Sequence, residues 1–195
     1  MSQLNFLLAF LATTVLLLAR PAHSAPPQAW RGTSVIGFSG TSTLHSWSGK
    51  VSPQPFVATV TYDDSGRPSR LQAEVKVQAG KMDTAEPKRD ENMLRALRVS
   101  DFPFITAVID APFSKILTKE TPAELPLTLE IMGKKRVATA KISNWTLKND
   151  IATFDLDFEV LMKDYGIRVP AVLLVIRVGD VVKVHAKVQL VRKSA

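Results

Sequence analysis

Thr153-Phe154-Asp155-Leu156-Asp157-Phe158-Glu159-Val160-Leu161-Met162 is the stretch on which the fold turns. Phe154, Leu156, Phe158, Val160 and Met162 alternate with Thr153, Asp155, Asp157 and Glu159. Successive side chains of a strand point to opposite faces, so this run is a strand with one dry face and one wet face. Its dry face needs apolar side chains from elsewhere in the chain to cover it.

The same period recurs on both sides of that stretch. Leu71, Ala73, Val75, Val77 and Ala79 alternate with Gln72, Glu74, Lys76 and Gln78, and Leu125, Leu127, Leu129 and Ile131 form another apolar row. Val182, Val184, Ala186, Val188 and Leu190 stand against Lys183, His185, Lys187 and Gln189. Weaker strands are expected over Thr33 to Gly40, Leu44 to Val51, Phe56 to Tyr62, Phe104 to Phe113, Val137 to Trp145 and Val172 to Val178. Asp63-Asp64-Ser65-Gly66 and Val178-Gly179-Asp180 have the residues of hairpin turns, because Gly and Asp accept the positive φ of tight returns. Many strands, short returns and one dry face argue for an all-β domain, either a sandwich or a closed antiparallel barrel. Closure leaves no strand edge exposed.

One segment departs from this period. Between Pro87 and Arg98, Met93, Leu94 and Leu97 fall on one arc of a helical wheel, with Lys88, Asn92 and Arg95 facing away. Thr84 and Pro87 are start signals for such a helix. Asp90 falls on the apolar arc near the helix start, where a carboxylate can serve the dipole and free backbone N–H groups or take part in ligand contact.

The chain opens on a leader. Leu4 to Ala19 is almost wholly apolar and runs into Arg20-Pro21-Ala22-His23-Ser24-Ala25, small residues of the kind a signal peptidase reads, so residues 1–24 are expected to be a signal peptide cut after Ser24. Met1 to Asn5 has no Lys or Arg, and an uncleaved anchor helix is the competing reading. Residues 25–29 then form a short linker, and residues 30–195 form one domain of a size that supports its own core. With no cysteine in the sequence, stability comes from packing without disulfides or thiolate metal sites. The net charge of +7 includes only Arg20 from the leader, and its cations are interspersed with acids. Lys134-Lys135-Arg136 is the one basic triple, as in a solvated turn. Export turns this basic character toward anionic lipid surfaces or a phosphorylated ligand, with no nucleic-acid partner.

Catalytic constellations are missing. After the leader, His45 and His185 stand alone in sequence, without partners at metal-ligand spacing, so no metal and no other cofactor is expected. Gly37-Phe38-Ser39-Gly40-Thr41 fails as a nucleophile elbow at its last position. Asp155 and Asp157 solvate one strand face. The resource in abundance is dry surface, and a barrel of about eight strands either fills its lumen with side chains or holds one ligand.

Several segments together resemble the polyisoprenoid-binding YceI-like family. They are Ser39-Gly40-Thr41-Ser42-Thr43-Leu44-His45-Ser46-Trp47-Ser48-Gly49, Met82-Asp83-Thr84 with Lys88-Arg89-Asp90 and Met93-Leu94, Phe102-Pro103-Phe104-Ile105, Leu127 to Ile131 with Gly133 and Val137, and Asp164-Tyr165-Gly166-Ile167. They occur in the family's order across most of the mature chain. Met132 stands where the family often has His, and Ala107 where it has an aromatic residue.

The resemblance implies a lipocalin-like antiparallel barrel in the periplasm, with an isoprenoid or similar lipid inside and no catalytic residues. The expected lumen is lined by Leu71, Val75, Val77, Leu127, Leu129, Phe154, Leu156, Phe158 and Val184, with a short helix near its mouth. Thr84, Arg89, Asp90, Met93 and Leu94 would order that mouth or meet a headgroup; alternatively Arg89 and Asp90 form a purely structural pair. The expected function is that of a non-enzymatic exported carrier or buffer, periplasmic or secreted, which touches a membrane surface transiently. The competing expectation is a periplasmic accessory of a membrane redox or stress system, with its core closed.

Overall fold

The computed structural model describes residues 25–119, 121–168 and 178–193. Along them run β1 (Gln28–Thr41), β2 (Ser46–Val51), β3 (Phe56–Tyr62), β4 (Pro68–Gln78), α1 (Pro87–Ala96), β5 (Phe104–Pro112), β6 (Leu117–Thr118), β7 (Thr121–Pro122), β8 (Glu124–Ile131), β9 (Lys134–Lys148), β10 (Ile151–Leu161) and β11 (Val181–Arg192). The four strongly alternating runs lie in β4, β8, β10 and β11, except that their end residues Ala79 and Met162 open the 3-10 turns that follow β4 and β10.

Each neighbouring pair in the main sheet is antiparallel, in the order β11-β10-β9-β8-β5-β4-β3-β1-β2, and β11 pairs back with β1 from Trp30↔Arg192 to Ser39↔Lys183. That last pairing closes a barrel of β1, β3, β4, β5, β8, β9, β10 and β11. Closure satisfies the backbone groups that an open sheet would leave at its edges. β1 is long enough to pair on one side with β3 through Gln28–Gly32 and then with β2 through Ile36–Thr41. β2 in turn is pinned to the approach to α1, since Lys50 and Asp83 exchange backbone hydrogen bonds of 2.8 and 3.0 Å. β6 and β7 make a separate two-stranded hairpin.

The turns follow from backbone chemistry. Met132 and Gly133 join β8 to β9 with φ of 51° and 73°, and Asn149 and Asp150 join β9 to β10 with φ of 49° and 61°. Two consecutive left-handed residues are the turn whose twist matches the flanking strands. The expected turn at Asp63–Gly66 is present, with Gly66 at φ 78° and the Asp63 Oδ1 accepting from the backbone of Ser65 at 2.9 Å and Arg67 at 3.0 Å.

Two expectations change, at the linker and at the helix end. Gln28 and Ala29 are not linker: β1 starts at Gln28, whose Oε1 accepts from Tyr62 Oη at 2.7 Å and Arg192 Nε at 2.8 Å, tying three strands together. Val178-Gly179-Asp180 packs on the β1–β2 connection, where Val178 bridges Ser42 and Gly179 N–H donates to Thr41 O at 2.8 Å. Residues 169–177, with all of the expected strand over 172–178 except Val178, lie outside the described residues, as do residues 1–24, expected to be the leader. Helix α1 ends at Ala96, two residues early, because Arg98 takes the left-handed φ of 50° and Val99 N–H turns back to Leu94 O at 3.2 Å. Among the described residues no helix is long and apolar enough to cross a membrane.

Candidate functional site

The inward rows divide at mid-height. On β4, Val75 and Val77 border a cavity while Leu71 and Ala73 pack below it; on β5, Ile105 and Ala107 border it while Ile109 and Ala111 do not. The same division separates Leu129 and Ile131 from Leu125 and Leu127 on β8, and Val182 and Val184 from Ala186, Val188 and Leu190 on β11. On β10, Phe158 and Val160 border the space, followed by Met162, whereas Phe154 and Leu156 belong to the packed half. Strand register makes the boundary close to level, Ile36 alone bordering the cavity opposite a packed partner, Ala186. Val75, Ala107 and Leu129 are direct partners across β4, β5 and β8, and Phe38, Val184 and Phe158 across β1, β11 and β10.

The result is an apolar cavity of about 490 Å³ in the half of the barrel that α1 overlies. This volume falls within the range of ligand pockets. Ala107, small where a ring would project inward, leaves part of that space free. The other half holds buried core side chains, and there the half-buried Trp145 and Phe154 rings lie 5.5 Å apart. Trp145 reaches the interior through a β-bulge: Asp155 pairs with Ser143 and Thr153 with Thr146, so Asn144 and Trp145 together oppose Phe154. Asn144 takes up the extra residue at φ 53°.

Of the residues expected to line the lumen, Val75, Val77, Leu129, Phe158 and Val184 border the cavity. Leu71, Leu127, Phe154 and Leu156 do not; they point inward in the half that is packed shut. Alternation identifies the face of a strand but carries no information about height along the barrel. The lining that sequence reasoning missed includes Ile36, Phe38 and Trp47. Phe38 and Trp47 meet edge to face, with centroids 6.3 Å apart.

Polar chemistry is confined to the α1 end, where Ser42, His45, Thr84, Glu86, Arg89 and Asn92 border the opening. Thr84 is the buried polar residue among them, at 7% exposure. It is not the helix cap: Glu86 occupies that position without a side-chain bond, and Pro87 starts the helix. Instead the Thr84 N–H and Oγ1 donate to Asp90 Oδ1 at 2.9 and 2.6 Å. Asp90 thus faces Thr84, outside the cavity lining, and the expected Arg89–Asp90 pair does not form. Arg89, half-buried at the opening, has no hydrogen-bond or ion-pair partner among the described residues. Trp47 Nε1 is likewise buried and unpartnered. Met93 borders the cavity and Leu94 does not. Two donor-only groups without acceptors therefore belong to residues in the wall of an otherwise dry chamber. His185 is on the outer face, with Nδ1 2.8 Å from Asp157 Oδ1. Among the described residues, no three His, Cys, Asp or Glu side chains gather as metal ligands.

A closed eight-stranded antiparallel barrel with an apolar chamber under one helix is of the lipocalin-like class. The YceI-like domain model matches residues 30–190, and the chain belongs to the YceI-like family. Solved structures share the fold at low identity. Burkholderia cenocepacia BcnA is 15% identical, with a TM-score of 0.61 over 80% of this chain and 95% of that one. A polyisoprenoid binding domain from Saccharophagus degradans, implicated in plant cell wall breakdown, is 11% identical, with a TM-score of 0.58 over 85% and 98%. The Campylobacter jejuni YceI protein is 16% identical, with a TM-score of 0.51 over 75% and 85%. A comparison with curated protein sequences found no match.

Proposed function

We propose that this protein is an exported, non-catalytic carrier or buffer for a lipid, a polyisoprenoid or a related molecule, whose apolar tail occupies the barrel cavity and whose polar end stays at the α1 opening. The apolar cavity of about 490 Å³ carries this reading. Each buried CH₂ group contributes about 0.8 kcal/mol against return to water, so a lipid tail does not escape into solvent. Against a bilayer the difference nearly vanishes, because acyl chains are as apolar as the cavity wall. Such a site loads and unloads at a membrane surface without extreme affinity.

Leu44, 64% exposed on the β1–β2 loop beside the opening, suits that transient contact. Arg89 and Trp47 suit an acceptor-bearing head. The leader-like residues 1–24 favour the periplasm or the exterior as the place of action. Membership of a family with a structurally similar polyisoprenoid binding domain supports the ligand class. The accessory-module reading requires a lumen filled by its own side chains, and the cavity counts against it. Native mass spectrometry of protein purified from its own host, followed by solvent extraction, tests the proposal. The expected result is a co-purifying lipid; protein that emerges lipid-free and also takes up no added prenyl alcohol overturns it.

A further inference from the structure

Resting on the lipid-binding reading, we propose that the packed half of the barrel is a stop that limits the buried tail to about twenty carbon atoms, with the Trp145–Phe154 pair as its centre. The cavity of about 490 Å³ is roughly three times an apolar cavity of about 150 Å³ that accepts one six-carbon benzene ring, which gives room for about twenty carbons. Depth sets how such a tail must lie. The lining on the β10 side runs from Phe158 to Met162, about 13 Å along the chain and about 10 Å along the axis of a tilted barrel. A tail that fills the volume must fold back on itself, and a longer one has nowhere to continue.

The floor is set by a specific device. Were β9 regular through Asn144, strand alternation would put Trp145 on the outside with Val137, which is 80% exposed. The bulge turns the largest side chain of β9 inward against Phe154, where it packs on the core cluster that includes Ile142, Leu156 and Val188. A strand without the bulge would turn the smaller, polar Asn144 inward here instead. The bulge thus adds the largest ring of β9 to the packed half that closes the chamber at this end.

The test uses the mature protein and all-trans prenyl alcohols of ten, fifteen, twenty, thirty and forty carbons, offered in equimolar pairs and read by native mass spectrometry. Occupancy is expected to favour twenty carbons over ten by about a hundredfold or more, since buried apolar surface still grows over that range. Forty carbons should gain less than about threefold over twenty. A preference that keeps rising to forty carbons overturns the stop while leaving lipid binding intact. Failure to bind any member overturns the lipid-binding reading itself. Trp145→Ala and the milder Phe154→Leu should each move the plateau to longer chains. A plateau unmoved in whichever folded variant is measured removes these two residues from the role.

Discussion

Thr84 donates both its backbone N–H and its hydroxyl to a single carboxylate oxygen, Asp90 Oδ1, at 2.9 and 2.6 Å. The pair joins the extended segment leaving β4 to the first turn of α1, and so fixes how the helix sits over the cavity. Removing the acceptor strands a buried hydroxyl and amide, whereas Thr84→Val removes only one donor of matching shape. Asp90→Ala is therefore expected to destabilise by about 2–4 kcal/mol and Thr84→Val by about 1–2 kcal/mol, because hydrogen bonds to charged groups exceed neutral ones and orphaned donors carry a desolvation cost. Urea unfolding of both variants and of the double variant checks this. The effects should fall short of additivity, since each change disrupts the same contact.

Arg89 gives the opposite expectation, a binding effect without a stability effect. It borders the cavity and loses no intramolecular partner on truncation. Arg89→Ala should unfold at the wild-type urea concentration and bind a twenty-carbon prenyl alcohol as before. A prenyl phosphate of the same length should bind about ten- to a hundredfold more weakly, the equivalent of one or two charge-assisted hydrogen bonds at 1.4 kcal/mol per decade. Equal loss for both ligands would assign Arg89 to packing instead of head recognition.

Asp63 sets a pH dependence at the far end of a hairpin. The hydrogen bond from Ser65, with backbone hydrogen bonds and the nearby Arg67, holds its carboxyl down from 3.8 to about 2. A folded-state value below the unfolded one means that the stabilisation is complete above the ordinary carboxylate range and is lost as pH falls through it toward 2. Asp110, lowered by its hydrogen bond from Arg70, and Glu91, lowered by Lys88, add to the same slope. Wild-type stability is thus expected to fall between about pH 4 and pH 2, and Asp63→Ala should fall less steeply over that window. Matching slopes in acid urea titrations would exclude Asp63 as a contributor.

The face of each strand was legible in the sequence because period two is a local property: Phe154, Leu156, Phe158 and Val160 share one face of β10 and that face is inside. Height was not legible. Phe154 and Phe158 are the same residue type on the same face, yet one fills the floor and the other borders the cavity, because long-range register decides which strands are opposite at each level. Trp145 was hidden for a different reason. Counting from Val137 puts it outside, and only the bulge at Asn144 reverses it. The helix was visible from its apolar arc, but the use of Asp90 was not, since the group it serves lies six residues back in a segment without regular structure. The families of residues around Thr84 and Arg89 carried the resemblance, and the structure separates their roles into a scaffold pair and an unpaired cation.

Gly49 and Gly37 provide a paired test of the cavity wall. A Cβ on Gly49 would stand 2.4 Å from Phe38 Cζ and 2.8 Å from the backbone oxygen of Asp83, whereas one on Gly37 would meet nothing closer than His185 O at 3.8 Å. The Phe38 ring can yield into the cavity it borders, but the Asp83 oxygen is held by its exchange with Lys50, so the backbone at Gly49 must shift as well. Gly49→Ala is therefore expected to destabilise by about 1–3 kcal/mol, the usual range for overpacking. It should also weaken a twenty-carbon prenyl alcohol more than a ten-carbon one, because the displaced ring takes volume that only the longer tail uses. Gly37→Ala should leave ligand binding unchanged and raise stability by about 0.5–1 kcal/mol, the gain from replacing glycine within a strand. Urea unfolding and chain-length competition on the two variants measure both effects. Equal weakening of both alcohols by Gly49→Ala would mean that the ring moves away from the cavity and that Phe38 does not set its width.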